Sequence, residues 1–169
     1  VSPAPIADAD EARRIDELLR RWGEPWRESG VLAALESTGE PDERGQYRWL
    51  VRLAGEEKEF ITLWLTLRQR TVHVEAQLMP APEERVEEVY RYLLAKNADL
   101  FDLHLALGPE AAIYLVGRVP AGELDAEALD ELCGAALQHV EEIFPTAMAM
   151  GLGSLYRRRR ARGGSAPAR

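Results

Sequence analysis

Three histidines, one cysteine and a scatter of paired carboxylates are what this chain offers for chemistry. His73-Val74-Glu75 has the H-x-E spacing of zinc deaminases, but that chemistry also needs a P-C-x-x-C partner to complete the metal shell. Cys133 is the single cysteine, so the metal shell cannot be closed. Residues two apart on a strand share a face, and His73 and Glu75 read as a solvated pair. Asp102-Leu103-His104 likewise puts a carboxylate and an imidazole on one strand face. No serine or cysteine lies nearby to be activated, and the G-x-S-x-G elbow is absent. His139 reads as a helical neighbour of Glu142.

Cys133 falls on an apolar helical stripe and reads as a small buried hydrophobe. Gly151-Leu152-Gly153 is no dinucleotide fingerprint, because no strand feeds it and no third glycine follows. Glu83, Glu84, Glu87 and Glu88, with Arg85 and Arg91 between them, suit the first turn of a helix and lack the histidines or inward-facing acids of a metal cage. The residues therefore predict no catalytic set, no metal site and no cofactor. The expectation is a protein that is not an enzyme.

Charge separates the chain into two parts. Six of its 21 basic residues are arginines after Tyr156, which leaves 15 against all 29 acids in residues 1–156, a balance of −14. Such an acidic body disfavours nucleic acid and anionic membrane as partners. Arg157, Arg158, Arg159, Arg160 and Arg162 form a flexible basic tail, read either as a contact for an anionic partner or as a solubilising end. No apolar run approaches the ~20 residues of a membrane-spanning helix. One cysteine and an acidic, signal-free N-terminal stretch point to a reducing cytoplasm.

The elements that would position these groups follow from periodicity. Residues 1–7 read as a disordered lead-in, 8–156 as one domain and 157–169 as the tail. Asp8 or Asp10 caps a first helix with Ala12, Ile15, Leu18, Leu19 and Trp22 on its apolar stripe, which Gly23 and Pro25 end. Residues 26–36 are open between strand and helical turn. Tyr47, Trp49, Val51 and Leu53 alternate with Arg48, Leu50 and Arg52 and begin a three-strand meander. Ile61, Leu63, Leu65 and Leu67 continue it, then Val72, Val74, Ala76 and Leu78, and Met79-Pro80-Ala81-Pro82 stops the sheet. The spacing of Val86, Val89, Tyr90, Leu93 and Leu94 predicts a second helix over 83–97. Phe101 to Leu107 and Ala112 to Val119 make two more strands. Asp125 caps a last helix, which Pro145 kinks or ends.

The order is thus α-β-β-β-α-β-β-α: an α+β fold with an antiparallel sheet and helices packed on it. Phe60 and Trp64 fall on the opposite face from Ile61, Leu63 and Leu65. If helices cover only one face, apolar area is left for another element or for a partner. Trp49, Phe60, Trp64 and Met79 are accordingly candidates for a peptide- or partner-binding surface, with core packing as the other reading.

The run Leu63 to Asn97, LWLTLRQRTVHVEAQLMPAPEERVEEVYRYLLAKN, with FDLHLALGPEAAIYLVGRVP (Phe101–Pro120) after it, resembles the YbjN-domain proteins of bacteria, particularly actinobacterial ones. The resemblance spans roughly residues 45–155. It implies a fold similar to that of type III secretion chaperones, no enzymatic activity, a homodimer, and a protein or peptide client held against apolar patches. The family's description as sensory-transduction regulators implies an alternative: an adaptor acting through one defined partner protein. The Arg-rich tail is outside what the resemblance covers.

Overall fold

The computed structural model describes residues 7–155 and 157–158. Helix α1 (Ala9–Glu28) starts at Asp8, whose carboxylate accepts the Asp10 amide hydrogen at 2.8 Å. Ahead of it Ala7, expected in a disordered lead-in, is buried and donates its N–H to the Gly45 carbonyl, and the rest of that lead-in, residues 1–6, lies outside the described residues. Ala12, Ile15, Leu19 and Trp22 bury one stripe of the helix, as the three- and four-residue steps require. Gly23 and Pro25 do not end it. The missing Pro25 amide costs one intrahelical bond, while Trp22 and Trp26 both donate their indole N–H to Asp130 Oδ1, at 2.7 and 2.9 Å. Those two bonds pin the last turn. Gly23 serves close packing: a Cβ there would lie 2.9 Å from Leu32 Cδ2.

The undecided stretch contains a strand, β1 (Leu32–Ser37). It is followed by β2 (Tyr47–Ala54), β3 (Phe60–Arg68), β4 (Thr71–Met79), helix α2 (Val86–Asn97), β5 (Leu103–Leu107), β6 (Ile113–Pro120) and helix α3 (Ala126–Gly151). The order has one strand more than periodicity predicts. All pairings are antiparallel, and the sheet runs β1-β2-β3-β4-β6-β5. The expected α+β class stands, with β1 and β5 as the two edges.

All three helices pack on one face. Ile15, Leu19 and Trp22 of α1, Val89 and Leu93 of α2, and Leu129, Leu132, Cys133, Val140 and Ile143 of α3 join Val51, Leu63, Leu65 and Val74 of the sheet in a single buried cluster. Each large aliphatic side chain so buried contributes about 1.5–3 kcal/mol relative to leaving it in water. α3 begins at Asp125, whose carboxylate accepts the Ala128 amide hydrogen at 2.9 Å, and it continues through Pro145 to Gly151. Its Glu141 carboxylate accepts the backbone N–H groups of Glu56, Glu57 and Lys58, at 2.9, 2.7 and 3.2 Å. The β2–β3 turn is thereby fastened to the last helix.

Two of the residues expected on a binding surface are core residues. Trp49 is only 2% exposed and donates its indole N–H to Asp16 Oδ1 at 3.2 Å, because Tyr47, Trp49, Val51 and Leu53 point toward the helices. Met79 is fully buried. The alternation places it with His73, Glu75 and Gln77, but the β4–β6 register shifts between Gln77 and Met79, and the irregularity turns Met79 inward next to Leu78. Neither side chain is available to a partner of the folded chain.

Candidate partner-binding surfaces

The sheet's second face carries no helix. Along its middle runs one row across all six strands: Glu36, Leu50, Trp64, Glu75, Val116 and His104 are successive cross-strand partners. Beside it runs a second row, Arg48, Thr66, His73 and Arg118. Residues opposite one another in such a ladder project to the same side. The Arg48 guanidinium lies 4.4 Å from the centre of the Trp64 ring, and that of Arg52 lies 5.9 Å from Phe60. Trp64 is therefore half-buried under its neighbours, and Phe60 is 43% exposed. Of the four side chains expected on a binding surface, these two share the open face.

His73 and Glu75 lie here as expected, on the same strand face. The imidazole of His73 is held below its ordinary value by partial burial first, and then by Arg68 and Arg118; Glu75 acts in the opposite direction. A shallow depression lined by Arg68, His73, Glu75, His104, Val116 and Arg118 occupies this corner. Asp102 and His104 are not brought together on one strand face. Asp102 precedes β5 with φ 58° and lines another depression with Phe101 and Glu123. Among the described residues no group of three His, Cys, Asp or Glu side chains is placed to hold a metal ion.

A second surface lies where α2 meets the β5 edge. Tyr90, Leu93, Leu94, Leu105, Leu107 and Ile113 line an apolar groove. Leu94 is 69% and Leu107 61% exposed. The sequence assigns Leu94 to the core stripe of α2 and Leu107 to the alternation of β5, yet the core ends short of both. Asn97, which closes α2, bridges the β5 edge. Its amide donates to the Leu105 carbonyl at 3.1 Å, and its oxygen accepts the Leu105 N–H at 2.7 Å. The side chain copies the pairing an added strand would make, and so occupies that stretch of free edge.

The remaining candidates are structural. Cys133 is buried on α3, and burial pushes its thiol up to about 12, so it is no nucleophile at neutral pH. Glu87 pairs with Arg91 and Glu88 with Arg85 on α2, while Glu84 accepts the Ser154 amide hydrogen at 3.3 Å. Glu142 holds Lys96 at 2.6 Å; His139, one turn before it, is lowered by partial burial. Lys58 was not singled out by sequence. It is half-buried, its ammonium donates to the Gln77 and Leu78 carbonyls at 2.6 and 3.1 Å, and desolvation lowers it to about 8. Arg157 and Arg158 are helical and exposed; Arg159, Arg160 and Arg162 lie outside the described residues. No helix among the described residues is long and apolar enough to cross a membrane.

A six-stranded antiparallel sheet with its three long helices on one side is a fold shared with a chain of a solved chaperone–effector complex. A chain of the HopA1-SchA chaperone–effector complex is 14% identical, with a TM-score of 0.50 over 83% of this chain and 99% of that one. A chain of the complex between the Yersinia pestis type III secretion chaperone SycH and a stable fragment of YscM2 is 14% identical, with a TM-score of 0.45 over 75% of this chain and 97% of that one. The family is set by sequence. Residues 29–148 match the YbjN family, described as "Putative bacterial sensory transduction regulator", and the chain belongs to it. Among its relatives, the uncharacterized protein ML2442 of Mycobacterium leprae is 37% identical over 123 residues, which is 73% of this chain and 66% of that protein. The uncharacterized protein Rv0487 of Mycobacterium tuberculosis is 34% identical over 109 residues, 64% and 60% of the two chains. The matches thus span less than two thirds of the length of these curated relatives.

Proposed function

We propose that this chain is a non-catalytic, chaperone-like domain that holds a segment of a partner protein, and that it works as a cytoplasmic homodimer. The observation that carries the reading is the sheet face that no helix covers, where Trp64 and Phe60 stand among Leu50, Val116 and arginine side chains. A large aromatic side chain in a half-open row is the kind of anchor around which protein recognition concentrates. The apolar groove between α2 and β5, with Leu94 and Leu107 at its rim, is the surface proposed for the second copy. Asn97 leaves β5 poorly suited to take an added strand, so binding is placed on faces rather than on that edge.

The test uses immobilised full-length protein and a library of random 12-residue peptides, with the Trp64→Ala variant alongside. Peptides retained by the native protein and lost from a variant with an unchanged melting curve are the expected result. If the variant retains the same peptides, the face is not the binding site and the reading fails. Light scattering checks the dimer: Leu94→Asp is expected to give a monomer, and a native protein that is already monomeric refutes the homodimer. The family description favours a second reading, a regulatory adaptor that engages one defined partner stoichiometrically.

A further inference from the structure

The arginines of the open face differ from the ion-paired basic residues of the helices. Elsewhere Arg13, Arg14, Arg20, Arg85, Arg91 and Lys96 are each paired with a carboxylate on the same or a neighbouring helix. Among the described residues, Arg48, Arg52, Arg68 and Arg118 form no such ion pair. Arg48 and Arg52 rest on Trp64 and Phe60, and Arg52 also donates to Thr62 Oγ1 at 3.2 Å. Among the described strand residues Glu36 and Glu75 are the acids on this face, and His73 and His104 stand between. Beyond the corner, Arg44 and Arg70 line an adjoining depression with Glu43. A protein of net charge −8 thus carries an uncompensated basic face, the same one that exposes its aromatic anchor.

We propose that the open sheet face recognises an acidic, extended segment of a partner protein. The inference rests on the reading of this face as the binding site and adds the chemistry of what binds. Arg48, Thr66, His73 and Arg118 sit on four neighbouring strands, so three steps of about 4.8 Å put the two guanidinium stems about 14 Å apart. An extended peptide advances about 3.3 Å per residue, and carboxylates four positions apart match that span. Apolar side chains of the same segment would then lie over the neighbouring row of Leu50, Trp64 and Val116. Guanidinium groups match carboxylates in a bidentate fork, which gives the pairing direction as well as charge.

A single-stranded nucleic acid is the less fitting polyanion. Its bases need open aromatic faces to stack on, and a guanidinium already lies over Trp64 and another over Phe60. A longer strand would also run off the basic face onto an acidic body and be repelled there. A short acidic peptide stays within the patch.

The probe is a fluorescein-labelled 12-residue peptide alternating Asp or Glu with Leu or Val. Its Asn/Gln counterpart and a 12-nucleotide oligothymidylate serve as comparisons. Anisotropy titrations use full-length protein and the full-length Arg48→Gln/Arg118→Gln double variant, so the basic tail is the same in both. The expected result is that the acidic peptide binds more tightly than its neutral counterpart and weakens about tenfold in the double variant, more so at low salt. Equal binding of the acidic peptide by both proteins assigns it to the tail and overturns the proposal. Tighter binding of the oligonucleotide than of the acidic peptide overturns it in favour of nucleic acid. If both peptides bind equally, and both are lost from Trp64→Ala, the acidic preference fails while the binding face survives. If neither peptide binds, the binding face fails as well. Melting curves of the variants, expected to match the native protein, exclude unfolding as the cause of any loss.

Discussion

Asn97 is where one side chain settles the fate of a sheet edge, and replacing it gives a worked prediction. Asn97→Ala removes two hydrogen bonds to Leu105 and leaves a partly buried N–H and C=O without partners. At about 0.5–1.5 kcal/mol net for each bond, the cost is about 2 kcal/mol. With a urea slope of about 2 kcal/mol per M, the unfolding midpoint falls by about 1 M. The bared edge should also pair with other chains, so sedimentation should become concentration-dependent beyond any native dimer. Asn97→Asp separates the two bonds. Its carboxylate still accepts the Leu105 N–H but presents a second oxygen to the Leu105 carbonyl. That contact disfavours the charged form and raises the acid's folded-state pKa, so the variant should gain stability as pH falls and the protonated acid donates to the carbonyl. An unchanged urea midpoint in Asn97→Ala, together with unchanged sedimentation, would refute the reasoning.

Two further outcomes follow from buried titratable groups. With its pKa lowered to about 8, about half of Lys58 is the neutral amine at pH 8, against about 0.4% of an ordinary lysine; the only other lysine, Lys96, is raised by Glu142. Among the lysines, acylation by a limiting amine-reactive ester, mapped by mass spectrometry, should therefore reach Lys58 before Lys96 and rise steeply at Lys58 between pH 7 and 9; preferential modification of Lys96 would contradict the burial argument. The Cys133 thiol, pushed up to about 12 and enclosed by the core, should resist Ellman's reagent at pH 8 until urea unfolds the chain. Rapid labelling of the native protein would show that α3 opens readily.

The meander was legible because burial on one face of a strand leaves a period-two trace: Ile61, Leu63, Leu65 and Leu67 are all fully buried. β1 left no such trace, since a six-residue edge strand whose pairing shifts between Leu32 and Ala34 interrupts its own alternation. The helix end misread at Pro25 has a definite cause: contacts distant in sequence, from Trp22 and Trp26 to Asp130, outweigh a local backbone penalty. For the site, alternation put Phe60 and Trp64 on the uncovered face. It failed for Met79, where the register shift reverses facing, and Trp49 followed Val51 inward. The basic face was hidden by summation. A net charge counts Arg48, Arg68 and Arg118 together with glutamates on distant helices, and only the pairing register shows that three separate strands deliver those arginines to one face. Lys58 and Asn97 gave no signal, because their partners are backbone carbonyls and amides, which every residue carries.

The fastening of the β2–β3 turn by Glu141 has a consequence for how the chain is made. During synthesis every strand emerges before α3, and until that helix arrives the part of the sheet's inward side that α1 and α2 do not cover stays apolar and open, with the turn's three amides exposed to water. The nascent protein must therefore pass through an interval in which its own interior is the stickiest surface it presents. A ribosome that pauses while decoding residues 126–151 prolongs that interval, and with it the exposure of the unfinished core to aggregation.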